Sequence, residues 1–195
     1  MNILFINAAV RKNSRTNLLA NYVLEKLNRK YNECNINVLN LNEENIQALN
    51  ATTLQMRDDL ILNNDFSHEM FKYAKQFNQA DIVLICAPYW DLAFPANLKN
   101  YFEQIAVQGI NFEYIHGIPS SFCNIKKLFY VSTSGGPMSL EFGFNYVKTL
   151  AENFYGIKEN ILFKAEFLDL RNANVDDILT KAKEVIDQYF EKEEA

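Results

Sequence analysis

Six consecutive apolar residues, Ile82-Val83-Leu84-Ile85-Cys86-Ala87, followed by Pro88, constrain this chain more than any other stretch. A half-exposed strand alternates polar and apolar side chains, so an unbroken run reads as a strand covered on both faces, the condition of a central parallel strand. Pro88 has no amide hydrogen to donate; it ends the ladder and forces Tyr89-Trp90-Asp91-Leu92 into a loop. Beyond Phe94-Pro95, the residues Leu98, Tyr101, Phe102 and Ile105 fall on one stripe of a helix that stops before Gly109. An aromatic loop therefore stands at a strand-to-helix corner, where open α/β sheets bind ligands.

The same alternation recurs along the chain. Residues 2–7 read as a first buried strand, 8–13 as a polar loop, and the following stretch to 31 as a helix with Leu18, Leu19, Tyr22, Val23 and Leu27 on its apolar face. Ser14 stands at the N-cap. The orphan amides and positive dipole end of that helix offer an anion seat, to which Ser14, Arg15, Thr16 and Asn17 add donors. The alternative is that Ser14 only caps the helix and Arg15 is solvated. Neither the G-x-G-x-x-G dinucleotide fingerprint nor the G-x-x-x-x-G-K-[ST] phosphate loop is present. A second strand over 36–41 is followed by an excursion, 42–64, that either walls an active site or ornaments the surface, and then by a crossover helix over 65–78. After a loop over 109–124, a fourth strand, 127–132, ends in Thr133-Ser134-Gly135-Gly136-Pro137. Its two glycines permit close backbone approach to a ligand, although a plain turn explains one of them equally. A helix over 141–154, a fifth strand over 160–167 and a closing helix over 175–190 complete the pattern, the last with Ile178, Leu179, Ala182, Val185, Ile186 and Tyr189 inward. The expected architecture is α/β, a doubly wound five-stranded parallel sheet in the flavodoxin-like order 2-1-3-4-5.

Composition narrows what such a sheet does. At 195 residues and 49% hydrophobic, the chain has material for one core, so one domain over 1–195 is expected. The net charge is −5, and no basic cluster exceeds Arg11-Lys12 and Lys126-Lys127, which argues against nucleic-acid and anionic-membrane partners. Cys34, Cys86 and Cys123 form neither a disulfide framework nor metal-ligand spacing, so reduced thiols, no metal and a cytoplasmic location are expected. The apolar run over 3–6 is far shorter than a signal-peptide core, and no segment is long enough to cross a bilayer.

In the order 2-1-3-4-5 the first, third and fourth strands are neighbours, and their carboxyl ends share one rim. Ser14, Arg15, Thr16 and Asn17 then supply a phosphate seat, Pro88, Tyr89, Trp90, Asp91 and Leu92 an aromatic wall, and Thr133, Ser134, Gly135 and Gly136 a backbone floor. A flat heteroaromatic ring with one phosphate suits that combination, and FMN is the usual ligand at this switch point.

Here the chain resembles a known family over essentially its full length. Ala87-Pro88-Tyr89-Trp90-Asp91-Leu92 with Pro95, Leu98-Lys99-Asn100-Tyr101-Phe102, Gly109 and Phe112-Glu113-Tyr114 is similar to the azoreductase run A-P-M-Y-N-F followed by L-K-N-Y-F, a glycine and F-R-Y. The family is that of flavodoxin-like NAD(P)H oxidoreductases, which includes FMN-dependent NADH:azoreductases and NAD(P)H:quinone reductases. The resemblance implies an FMN enzyme that moves a hydride from NAD(P)H to the flavin and then two electrons to a quinone or azo acceptor. It implies that Ser14 to Asn17 hold the phosphate, that Tyr89 to Leu92 bond and stack on the ring, that Thr133 to Gly136 meet its pyrimidine side, and that Tyr114 lies near the substrate. This sequence departs from the family's pattern in three places: Ala8-Ala9 replaces a serine, Ser134 an arginine, and Asp91 an amide. It thus has one phosphate contact fewer, no cation in the loop after the fourth strand, and a negative charge beside the ring.

A flavin that carries the chemistry requires no acid, base or nucleophile constellation, and none is evident; His68 and His116 read as surface residues. Two other classes stand beside the enzyme: a single-electron carrier flavodoxin and a non-enzymatic regulator of the same fold. The excursion over 42–64 and the loop over 109–124 weigh against the carrier, and the intact ring-side loops against the regulator. Aromatics form 13% of the chain, and Phe94 and Leu98 lie partly off the helix stripe, so they are expected to meet a partner in a homodimer with active sites at its interface.

Overall fold

A computed structural model describes residues 1–194. In chain order the elements are β1 (Asn2–Asn7), α1 (Arg15–Lys30), β2 (Asn35–Asn40), α2 (Ala51–Leu62), a 3₁₀ turn (Glu69–Phe71), α3 (Lys72–Asn78), β3 (Ile82–Cys86), α4 (Ala96–Ile105), β4 (Phe112–Ile115), β5 (Ile118–Ser121), β6 (Lys127–Thr133), α5 (Phe142–Phe154), β7 (Glu159–Ala165) and α6 (Val175–Glu194). Five of the strands form one parallel sheet in the order β2-β1-β3-β6-β7. With β4 and β5 set aside as a separate antiparallel pair, the sheet strands numbered along the chain run 2-1-3-4-5.

Every residue of β3 is buried, because helices cover both faces of the sheet. On one face Val83, Ile85, Leu128 and Tyr130 pack against Phe77 of α3, Leu98, Tyr101 and Ile105 of α4, and Val147 of α5. On the other, Ile82, Leu84, Phe129 and Val131 pack against Leu19, Val23 and Leu27 of α1 and Leu179, Ile186 and Phe190 of α6. Burying each such side chain is worth about 1.5–3 kcal/mol, so a strand sandwiched between helices has no face on which a polar residue can stand cheaply. Among the described residues no helix is long and apolar enough to cross a membrane.

Several local expectations are corrected. Leu98, expected to reach a partner, is fully buried, and Phe94 turns inward with ring centroids 5.7 Å from Phe102 and 5.6 Å from Tyr146. Leu98 falls on the inward stripe of α4, and Phe94, just ahead of that helix, packs against the same core. Leu18 of α1 and Val185 of α6 are exposed, whereas Phe190 is buried and stacks 6.0 Å from Phe129. The crossover helix over 65–78 is broken: His68 Nδ1 accepts from the Met70 amide at 3.1 Å, caps the 3₁₀ turn, and leaves α3 only seven residues. The loop over 109–124 contains the β4–β5 hairpin, whose turn residues His116 and Gly117 both have positive φ, 52° and 79°. These are the angles that the tight two-residue hairpin turn demands. Within the excursion, α2 buries no residue fully; Asn50 and Thr53 form a capping box at its start, and the Arg57 guanidinium donates to the Glu103 carbonyl at 3.1 Å.

Candidate functional site

A cavity of about 390 Å³ opens at the carboxyl ends of β1, β3 and β6. Ser14, Arg15 and Thr16 line it from the first loop, Pro88, Tyr89 and Trp90 from the second, and Thr133, Ser134 and Gly135 from the third. The three loops that the sequence reading combined thus meet in space. Asn17, Asp91, Leu92 and Gly136 flank the lining residues without lining the cavity, and Tyr114 stands apart on β4, half-exposed, with its ring edge-on to Phe112 at 5.5 Å.

Ser14 caps α1. Its Oγ accepts from the Asn17 amide at 3.2 Å and its carbonyl from the Leu18 amide at 3.0 Å. The amides of Arg15 and Thr16 come before the first intrahelical bond and have no acceptor among the described residues. Two free amides at the positive end of a sixteen-residue helix form an anion cradle at the cavity wall. Asn17 is engaged elsewhere, its Oδ1 accepting from Asn21 Nδ2 at 3.2 Å. Thr16 Oγ1 and Thr133 Oγ1 lie 2.6 Å apart in a buried hydroxyl pair that ties the start of α1 to the end of β6.

The loop after β3 is anchored twice through Tyr89. The Tyr89 amide donates to the Thr133 carbonyl at 3.0 Å, and the Tyr89 hydroxyl to the Leu140 carbonyl at 2.7 Å. Trp90 and Ala93 then close a two-residue turn with paired backbone bonds of 3.3 and 2.8 Å, its central residues Asp91 and Leu92 at φ of 49° and 69°. Such a turn favours Asn-Gly; a leucine held in the left-handed region costs about 1–2 kcal/mol. Strain of this kind persists where the surroundings over-determine a conformation, commonly at ligand sites. Here it leaves the Trp90 indole 40% exposed at the cavity. Asp91 has no hydrogen-bond or ion-pair partner among the described residues, so a negative charge stands at the rim.

The sequence reading missed the loop after β7. Leu168 and Asp169 line the cavity, held there by backbone bonds of 3.1 Å from the Leu168 amide to the Ser134 carbonyl and from the Asp169 amide to the Gly135 carbonyl. Arg15 Nη1 donates to Asp169 Oδ1 at 2.8 Å and to the Leu168 carbonyl at 3.1 Å. Val10, Arg11 and Asn13 complete the first loop's contribution. The thiols stand outside this chemistry: burial pushes Cys86 up, and pushes Cys123 up to about 11, so neither supplies a thiolate near neutral pH.

The site therefore offers an amide cradle, an exposed indole and a backbone floor in one slot, a geometry that takes a planar ring bearing an anionic group. A family model described as the flavodoxin-like fold matches residues 1–190. The chain belongs to the flavodoxin-like family. This flavodoxin-like chain is 32% identical over 187 residues to an FMN-dependent NADH:quinone oxidoreductase of Lachnoclostridium phytofermentans, covering 93% of this chain and 94% of the relative. It is 33% identical over 184 residues to one from Clostridium perfringens, covering 90% of each. In structure it is similar to an azoreductase from Bacillus anthracis, with a TM-score of 0.86, 20% identity and coverage of 98% and 99% of the two chains. It is also similar to an FMN-dependent NADH-azoreductase from the same species in complex with FMN, with a TM-score of 0.82, 19% identity and the same coverage. The oxidoreductase family to which the motif over 87–114 points is the one to which this flavodoxin-like chain belongs.

Proposed function

We propose that this protein, as one flavodoxin-like domain over 1–195, is an FMN-dependent oxidoreductase that takes reducing equivalents from NAD(P)H and passes two electrons to a quinone or azo acceptor. The observation that carries the reading is the free-amide cradle of α1 facing the same cavity as the exposed Trp90. The residues present fit FMN: one anion seat, one aromatic wall and no second nucleotide-binding motif, in a volume within the range of small-ligand pockets. When bound, FMN supplies the two-electron chemistry, so no side-chain acid or nucleophile has to.

The chain's own residues bind and orient. Ser14 fixes the helix start so that the Arg15 and Thr16 amides, with the Arg15 guanidinium, meet the phosphate, and Asn17 serves through the cap bond. Pro88 and the Tyr89 bonds hold the loop in place, the Asp91-Leu92 turn presents Trp90 to the ring face, and Thr133 through Gly136 form the floor. Asp91 adds negative charge at the mouth. Leu92, Leu140, Phe142 and Tyr146 are exposed, and the Leu140 carbonyl is tied to the loop after β3 by the Tyr89 hydroxyl; apolar surface of this kind is what a two-fold partner covers, with Tyr114 of the hairpin as the residue to approach the acceptor in a homodimer. A cytoplasmic location accords with the unpaired cysteines.

Titration of the protein with FMN, followed by flavin fluorescence, tests the reading. Replacing Trp90 by alanine should weaken FMN binding by about tenfold, the loss of roughly one stacking contact, with the circular dichroism unchanged. A protein that ignores FMN, or retains FAD in preference to it, overturns the reading. For the dimer, a charge at Phe142 should yield a monomer by sedimentation; a wild-type monomer contradicts it.

A further inference from the structure

We infer that Asp169 is a built-in counter-anion that occupies Arg15 until a phosphate-bearing ligand takes it over, and so sets how strongly the site prefers phosphorylated over unphosphorylated ligands. The inference rests on the flavin reading above and names a residue that the reading does not use. β7 is an edge strand, and its loop is drawn to the cavity by backbone bonds from the amides of Phe167, Leu168 and Asp169 to the carbonyls of Gly136, Ser134 and Gly135. Phe167, at φ of 65°, turns the chain into that position. The carboxylate then lies directly against Gly135: a Cβ built there would stand 2.5 Å from Asp169 Oδ2 and 3.0 Å from its Cβ. The missing side chain at Gly135 thus makes room for this acid, and Gly136, whose Cβ would meet nothing within 4 Å, carries no such constraint.

Charge decides the consequence. Arg15 lines the wall beside the amide cradle, yet its Nη1 is already held by Asp169 Oδ1 at 2.8 Å, so the cation is neutralised before any ligand arrives. The side chains are 41% and 68% exposed, which makes the pair weak and exchangeable. A phosphate offers more charge than one carboxylate, matches the guanidinium fork in two bonds and gains the free amides at the same time, so it displaces Asp169. Breaking the pair subtracts from the affinity of any ligand that needs Arg15 and from no other. Once displaced, Asp169 remains a negative charge next to the phosphate and favours release.

The test compares FMN with riboflavin, which shares the ring and lacks the phosphate, by fluorescence quenching in the full-length protein. Asp169→Asn should raise FMN affinity about two- to fivefold, the worth of an exposed ion pair, and leave riboflavin affinity unchanged. Arg15→Met should lower FMN affinity and leave riboflavin unchanged. Equal effects of Asp169→Asn on both flavins, no effect on FMN, or a loss of FMN affinity would each overturn the inference, the last by making Asp169 a support for Arg15 and not its competitor. A wild-type protein that quenches neither flavin defeats the flavin reading itself, and this inference with it.

Discussion

The hydroxyl pair between Thr16 and Thr133 joins the two loops on which the cofactor seat depends, and its energetics can be worked out from burial alone. The oxygens are 2.6 Å apart, and Thr16 and Thr133 are 1% and 9% exposed, so water is a poor substitute for a lost partner. Thr16→Val keeps the shape and removes one oxygen, which strands the Thr133 hydroxyl at a desolvation cost of about 1–3 kcal/mol. Thr133→Val strands Thr16 in the same way. The double variant removes both polar atoms together and should return to within about 1 kcal/mol of wild type, because replacing both partners by apolar groups of like shape is nearly neutral. Urea unfolding followed by circular dichroism measures this: at a slope of about 2 kcal/mol per molar, each single variant lowers the midpoint by about 0.5–1.5 M. The double variant should recover most of that shift, a coupling visible in a double-mutant cycle. Additive losses would refute the reasoning, since each hydroxyl would then have a partner other than the opposing threonine.

On α6, Phe190→Ala should cost about 3–5 kcal/mol in urea unfolding while Val185→Gln stays within about 0.5 kcal/mol; the reverse ranking would contradict the burial of Phe190 and the exposure of Val185. Gly109 sits at φ of 86°, and a Cβ there would lie 2.6 Å from the Phe66 ring, so Gly109→Ala should destabilise by about 1–3 kcal/mol, and a neutral change would count against the turn geometry. The Tyr73 hydroxyl holds the Glu44 carboxyl below its usual range, and Lys127 does the same for Glu193. A carboxyl whose folded value is depressed adds stability that is complete above the unfolded value, about 4.3, and is lost as pH falls through the folded one. The urea midpoint should therefore hold from pH 7 down to about pH 5 and fall as the pH drops below the unfolded value of about 4.3; a midpoint that stays flat on acidification below that value contradicts these two contacts.

The sheet was legible in the sequence because its central strand obeys a rule with few exceptions: an apolar run closed by proline, Ile82 to Pro88, has one stable place in an α/β fold. The site was legible where a loop follows a neighbouring strand, since the rim at β1, β3 and β6 follows from topology. It failed at Asp169, whose loop follows the edge strand and joins the rim through backbone bonds that carry no side-chain signal. The left-handed turn at Asp91-Leu92 was hidden because neither residue is glycine. The β4–β5 hairpin had a readable cue, His116-Gly117 between short runs holding Ile115 and Ile118, which a search for two-residue turns would have found. Leu98 and Val185 were misjudged because a helical stripe fixes which residues share a face only to within about one position at its margins, and packing against neighbouring elements decides the rest.

Anaerobic mixing of the FMN-loaded protein with one equivalent of NADH or NADPH, followed by one equivalent of a quinone, tests the central claim most directly. The account predicts that the visible absorbance of the oxidised flavin bleaches with the nicotinamide and returns in full with the quinone, one two-electron acceptor consumed per flavin. A flavin that binds but is bleached by neither nicotinamide, or that returns its electrons singly to a protein acceptor and not to the quinone, would contradict it.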